Sequence, residues 1–113
     1  MSKALLSPLE PELSEIVRRL IAHFQPEKIY LFGSRSRGVT GPSSDYDFLV
    51  VMPSLDEPAY RYSQRACEIL SGISVPKDVL FLSREKFDYW RDTVGTLAEL
   101  VNREGKELYA AAA

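Results

Sequence analysis

Three aspartates stand beside or inside apolar runs that have the character of buried strands. Asp45 and Asp47 open the run that continues to Val51, and Asp78 interrupts the run from Val75 to Leu82. Because side chains alternate along a strand, Asp45 and Asp47 point to the same face, about 7 Å apart at the backbone. If the strand of Asp78 lies beside theirs, the three carboxylates meet at one edge of the sheet.

Such a cluster repels itself unless a cation neutralises it, which predicts a metal site. Carboxylate oxygens are hard ligands, so the predicted metal is Mg²⁺ or Mn²⁺ rather than zinc. The alternative is that Asp45 caps the start of its strand while Asp78 forms an ion pair with Lys77 or an arginine. The convergence of three carboxylates, next to the turn described below, favours the metal site.

The turn GSRSRG, residues 33–38, follows a short apolar strand and leads into helical sequence. Gly33 lets the backbone approach a ligand, and a helix N-terminus offers unpaired N–H groups to an anion. Ser34 adds a hydroxyl, while Arg35 and Arg37 add charges suited to phosphate oxygens. The alternative is an ordinary turn. A P-loop is excluded, because valine and threonine follow Gly38 where that motif needs lysine and then serine or threonine.

The elements that must position these residues alternate between helices and strands. Apolar residues recur at helical spacing from Leu9 to Phe24, where Pro26 stops the pattern. Strands are predicted at residues 29–32, 46–51 and 75–82, a helix at 55–73, a short helix capped by Ser83, and a last helix closed by Gly105. Leu108 and Tyr109 are expected to pack back onto the rest of the domain. This pattern predicts an α/β fold, a small mixed sheet of about three or four strands flanked by helices.

The composition fits one domain over residues 1–109, with residues 110–113 set apart as a candidate cloning remnant. The 113 residues are 45% hydrophobic, and their formal net charge is −2. An acidic balance argues against stable nucleic-acid binding, which relies on clustered Lys and Arg. The single cysteine, Cys67, cannot form an internal disulfide and is predicted to lie in the core. With no signal segment and no apolar run of membrane-spanning length, a cytoplasmic location without membrane contact is expected.

One combined pattern resembles the signature of the DNA polymerase β-like nucleotidyltransferase superfamily. It consists of Gly33-Ser34, ten intervening residues and Asp45-Tyr46-Asp47. The short chain is similar to the minimal nucleotidyltransferases, which are often encoded beside a HEPN protein, a helical RNase toxin. The resemblance implies a nucleotidyltransferase-type fold with ATP as substrate. It implies that Asp45, Asp47 and Asp78 are catalytic and hold two Mg²⁺ ions, Mn²⁺ being the substitute. Gly33 and Ser34 would bind the nucleotide with Arg35 and Arg37, whose roles the resemblance defines less closely.

The same resemblance implies transfer of AMP from ATP to a tyrosine of a HEPN-type toxin partner, which makes the chain an antitoxin by AMPylation. Three alternatives stay open: the same chemistry on a small molecule such as an aminoglycoside, a non-catalytic module that captures the toxin, and an RNA-binding regulator, which the charge balance disfavours. Five aromatic residues are candidates for base stacking or partner contact, against the alternative that they pack inside: Tyr60, Tyr62, Phe87, Tyr89 and Trp90.

Overall fold

Helices and strands alternate along the chain largely as the sequence predicts. The computed structural model describes residues 11–33 and 46–111. The elements are α1 (Pro11–Phe24), β1 (Lys28–Phe32), β2 (Tyr46–Met52), α2 (Ala59–Ile69), β3 (Lys77–Ser83), α3 (Arg84–Trp90), α4 (Leu97–Glu104) and β4 (Lys106–Ala110). The described strands form a four-stranded sheet in the order β3-β2-β1-β4. The predicted α/β class, with a small mixed sheet flanked by helices, is therefore confirmed.

The sheet combines antiparallel and parallel pairs. Strand β1 runs antiparallel to both β2 and β4, whereas β2 and β3 are parallel. Parallel neighbours need a crossover connection, and α2 supplies it between β2 and β3. This crossover brings the start of β3 back to the same end of the sheet as the start of β2.

Helices α1 and α2 cover one face of the sheet with the larger part of the core. The apolar residues of α1 recur at helical spacing and meet alternate residues of the central strands. The buried members of this layer include Leu13, Ile16, Val17, Leu20, Ile29, Leu31, Phe48, Val50, Tyr62, Ala66 and Leu70. The guanidinium of Arg19 donates to the carbonyls of Ile69 (3.0 Å) and Ser71 (3.2 Å), which ties α1 to the end of α2.

Helices α3 and α4 cover only part of the opposite face. They contribute Phe87, Ala98 and Val101, which pack on the other set of alternate strand residues: Tyr30, Phe32, Leu49 and Val51. The Oγ of Ser83 accepts a hydrogen bond from the amide of Lys86 (3.2 Å), so the predicted cap of the short helix α3 is confirmed. On this face Leu80 of β3 keeps 41% of its surface exposed, because neither helix extends over it.

Several predicted details are wrong or lie outside the described residues. Helix α2 is shorter than predicted, because Pro58 occupies its N-cap and Gly72, just beyond its end, has a φ of +92°. Cys67 is exposed rather than buried. Leu108 and Tyr109 pack back onto the core as predicted, and they do so as part of strand β4, which pairs with β1. The predicted start of α1 and the short helix at 33–38 fall on residues that are not described. No helix within the described segments has the length and apolarity to cross a bilayer.

Candidate active site

Asp47 and Asp78 lie directly beside each other on neighbouring strands. The parallel register of β2 and β3 pairs Asp47 with Asp78. Paired residues of parallel strands point to the same face, and the strands are about 4.8 Å apart. Asp47 is half-buried and Asp78 is exposed. The two carboxylates can therefore meet a common cation at the end of the sheet, on the face that α3 and α4 cover only in part.

The chain after β1 passes close to the same carboxylate. Phe32, the last residue of β1, pairs with Asp47, and Gly33 follows with a φ of +82°. A Cβ placed on Gly33 would stand 2.5 Å from Oδ2 of Asp47, well inside contact distance. Any residue other than glycine would have a strained backbone here and would force the Asp47 carboxylate to turn away. Gly33 thus lies directly against the Asp47 carboxylate.

The segment that leads into Asp78 is held by the main chain. The ammonium of Lys77 donates to the carbonyls of Ile73 (2.7 Å) and Val75 (3.2 Å). The amide of Tyr46 donates to the carbonyl of Pro76 (3.0 Å), which locks the starts of β2 and β3 together. Lys77 therefore stabilises the connection between α2 and β3, which differs from the ion pair with Asp78 considered as an alternative.

A cleft of about 750 Å³ opens at this end of the sheet, within the range of small-molecule sites. Asp47 and Asp78 line it together with Phe32 and Leu80, and the chain between α2 and β3 forms another wall. Ser63 and Cys67 line it from α2, and sequence reasoning missed both. Their spacing with Leu70 (i, i+4, i+7) places them on one side of a helix, and this was the signal that could have revealed them.

A second hollow, of about 520 Å³, lies between the start of β1 and helix α3. Its arginines form ion pairs with carboxylates. Arg84 lies 3.7 Å from both Glu27 and Asp88, and Arg91 lies 3.8 Å from Asp88. Burial raises the pKa of the Tyr30 phenol beside it, against the opposing effect of the neighbouring Lys28 ammonium. This arrangement is a surface ion-pair network, and the paired carboxylates of Asp47 and Asp78 lie in the other cleft.

The structure brings together those predicted site residues that it describes, namely Gly33, Asp47 and Asp78. Asp45, Ser34, Arg35 and Arg37 lie outside the described residues. Within residues 11–33 and 46–111 no group of three or more histidine, cysteine or acidic side chains forms a metal site. The predicted trio includes Asp45, so the described part of the site is a pair of carboxylates.

The described strands form a mixed sheet, and paired aspartates lie at one end of it beside Gly33. The family model for the nucleotidyltransferase domain matches residues 11–103. The chain therefore belongs to the nucleotidyltransferase-domain family, and its fold is of the nucleotidyltransferase type.

Solved structures similar to this chain include toxin–antitoxin complexes. One, a toxin–antitoxin with AMP-PNP, has a TM-score of 0.58 and 26% identity over 90% of this chain and 75% of that chain. The MntA-HpeT toxin–antitoxin reaches a TM-score of 0.60 with 22% identity, over 92% of this chain and 75% of that chain, and so supports the fold alone. A putative nucleotidyltransferase from Sulfolobus solfataricus has a TM-score of 0.54 and 26% identity, over 69% of each chain. No curated protein matches the chain significantly.

Proposed function

We propose that this chain transfers AMP from ATP to a tyrosine hydroxyl of a HEPN-type toxin partner and so acts as its antitoxin. The observation that carries the proposal is the in-register pair of Asp47 and Asp78 beside Gly33. Membership of the nucleotidyltransferase-domain family supports the reaction class. The similarity to a toxin–antitoxin with AMP-PNP supports both the adenine nucleotide and the kind of partner.

The described donor set fits a hard divalent cation. Asp47 and Asp78 offer only carboxylate oxygens, which suit Mg²⁺ or Mn²⁺. Asp45, two residues before Asp47 in the sequence, completes the set in the proposal. In the proposal these aspartates hold two Mg²⁺ ions. When bound, divalent cations in such a site lower the pKa of the attacking hydroxyl and neutralise charge on the leaving group.

The chain's own groups bind, orient and take up a proton. Gly33 and Ser34, with Arg35 and Arg37, bind the triphosphate, since a glycine turn exposes main-chain N–H groups and arginines match phosphate oxygens. A bond forms between the acceptor oxygen and the α-phosphorus, while the bond from that phosphorus to the bridging oxygen breaks and pyrophosphate leaves. Asp78, the more exposed carboxylate of the pair, receives the proton of the acceptor hydroxyl.

Two features favour a protein as the acceptor. Asp78 is exposed at the edge strand β3, where a folded partner can reach it. The chain's net charge of −2 disfavours a polyanionic acceptor such as RNA. A small-molecule acceptor is the second candidate, because the cleft of about 750 Å³ is large enough for one.

The test incubates the chain, Mg²⁺ and a purified HEPN-type toxin with ATP labelled on either the α- or the γ-phosphate. We expect the α-label alone to appear on the toxin, with the added mass of AMP on a tyrosine. Transfer of the γ-label alone would show a kinase and contradict the proposal. Tight binding of the toxin without any transfer would support the non-catalytic capture module instead.

A further inference from the structure

Some of the exposed apolar side chains of the described structure lie near one another, around strand β3 and helix α3. Its large exposed hydrophobic residues are Tyr60 (59%), Leu80 (41%), Tyr89 (72%), Trp90 (41%) and Val94 (86%). Tyr60 lies on α2, whereas the other four lie on β3, on α3 and in the turn between α3 and α4. Single exposed apolar residues need no explanation, but a clustered set marks a contact surface.

The cluster is continuous with the candidate active site. Leu80 and Leu82 follow Asp78 at intervals of two along β3 and therefore point to the same face. Leu80 lines the cleft that holds Asp47 and Asp78. Leu82 lines a shallow apolar groove of about 210 Å³ whose other walls are Trp90, Thr96, Leu97 and Ala98. We call the row Leu80, Leu82, Trp90 and Leu97 the apolar track.

The end of the track at Trp90 is structurally fixed. The Trp90 carbonyl accepts hydrogen bonds from the amide of Thr93 and the hydroxyl of Thr96, both at 2.9 Å. The Tyr89 ring packs edge-to-face against the indole, with a centroid distance of 4.7 Å and an interplanar angle of 86°. A ring that is held in place loses little conformational freedom when a partner covers it. Tryptophan is among the residues enriched at the positions that dominate binding energy at protein interfaces.

We propose that the apolar track binds an apolar surface of the acceptor protein and thereby delivers the acceptor's hydroxyl to Asp78. This inference rests on the proposed function and adds the surface through which the acceptor is recognised. Any protein whose side chain reaches Asp78 must cover the surface around it, and the adjoining apolar surface on β3 leads to Trp90. A small acceptor confined to the cleft would leave Trp90 exposed, whereas a protein acceptor can cover both the cleft and Trp90.

Trp90 is the only tryptophan of the chain, so it reports on its own surroundings. The full chain is prepared with a fluorinated tryptophan, and the HEPN-type toxin, which keeps ordinary tryptophan, is added at increasing concentration. We expect the single fluorine NMR resonance to shift or broaden and to saturate as the complex forms. A resonance that stays unchanged at saturating toxin would overturn the proposed track.

Variants separate recognition from chemistry. Trp90→Ala and Leu97→Gln should raise the toxin concentration needed for half-maximal transfer by about tenfold or more. The affinity for a non-hydrolysable ATP analogue with Mg²⁺ should not change, since neither residue lines the cleft. Tyr60→Ala, which removes an exposed aromatic ring from α2, is the matched control and should behave as the wild type. Equal effects of Tyr60→Ala and Trp90→Ala would contradict the track.

The experiments can contradict the apolar track and the proposed function separately. If the fluorine resonance stays unchanged but AMP still reaches the toxin, the track is wrong and the proposed function stands. If the resonance shifts on binding but no AMP is transferred, the docking surface stands and the proposed activity is wrong.

Discussion

The two faces of the sheet are built from alternate residues of the same strands, yet they differ in how completely helices cover them. On the face under α1 and α2, Phe48 and Val50 of β2 are completely buried. On the face under α3 and α4, Leu49 is equally buried, but Asp47 at the start of the strand is only half-buried. The comparison shows that one face supplies stability along its whole length, whereas the other ends in an open site.

The difference follows from where the helices lie. Helices α1 and α2 bring apolar residues against the whole first face, and α2 also carries the chain from β2 to β3. The short helices α3 and α4 pack around Tyr30, Phe32, Leu49 and Val51. Beyond them, Asp47, Asp78 and Leu80 stay accessible on the second face, because no apolar layer of the described chain covers them.

The largest effect is expected on the face under α1 and α2, which we call the sealed face; the face under α3 and α4 is the open face. Phe48→Ala should lower the free energy of unfolding by about 3–5 kcal/mol, because a fully buried ring leaves a cavity. Urea denaturation monitored by circular dichroism measures the change. Leu80→Ala on the open face is the control, and for this half-exposed residue we expect a change within about 0.5 kcal/mol. Similar losses for the two variants would remove the distinction between the faces.

The next largest effect is expected on catalysis at the open end. Asp47→Asn should reduce the rate of AMP transfer by about a hundredfold or more, because it removes a charge that positions the reacting groups. The fold should survive, with unchanged circular dichroism. Asp88→Asn is the matched control, since that carboxylate lies on α3 in exposed ion pairs with Arg84 and Arg91. A fully active Asp47→Asn variant would contradict the role of the pair.

A smaller effect is expected where the glycine turn meets the site. Gly33→Ala should lower the transfer rate by about tenfold or more, because left-handed backbone strain costs about 1–3 kcal/mol and the added Cβ displaces the Asp47 carboxylate. Gly72→Ala is a close control, since Gly72 has a similar φ of +92° and nothing within 4 Å of the added Cβ. Steady-state kinetics of both variants should show the loss for Gly33→Ala alone. Equal rates would mean that the close approach to Asp47 has no catalytic role.

The smallest effect concerns the charged rim of the sealed face. Hydrogen bonds from Arg18 and Arg19 lower the pKa of Glu15 below its ordinary value of 4.5. A lowered pKa in the folded state gives stability that is present above pH 4.5 and is lost as the pH falls through the folded-state pKa. Glu15→Gln should therefore lower the melting temperature slightly at neutral pH and not at strongly acidic pH. An equal shift at both pH values would assign the effect to packing instead.

Much of this contrast could be predicted from the sequence. The helical spacing of Leu13, Ile16 and Leu20 predicts α1, and the apolar run after Tyr46 predicts β2. The spacing of Asp45 and Asp47 predicts a shared face, but only the pairing of β2 with β3 shows that Asp78 lies beside Asp47. Strand order depends on long-range packing, which local pattern does not determine.

Other features depend on tertiary contacts in the same way. Strand β4 begins with Lys106 and Glu107, and two charged residues are not typical of a strand. Its pairing with the outer edge of β1 therefore could not be predicted from the local pattern. Cys67 falls within an apolar-periodic stretch, but it lies on the side of α2 that faces the cleft. The close approach of Gly33 to Asp47 also has no sequence signature beyond the glycine itself, because it joins two separate strands.

The central claim is that Asp47 and Asp78 together bind a divalent cation, and Mn²⁺ titration followed by electron paramagnetic resonance tests it directly. The signal of free Mn²⁺ falls as the ion binds the wild-type chain, over and above the fall that the non-hydrolysable ATP analogue causes alone. The account predicts that Asp78→Asn largely abolishes this binding while Asp88→Asn leaves it unchanged. Binding of Mn²⁺ to Asp78→Asn as tight as to the wild type would contradict the claim.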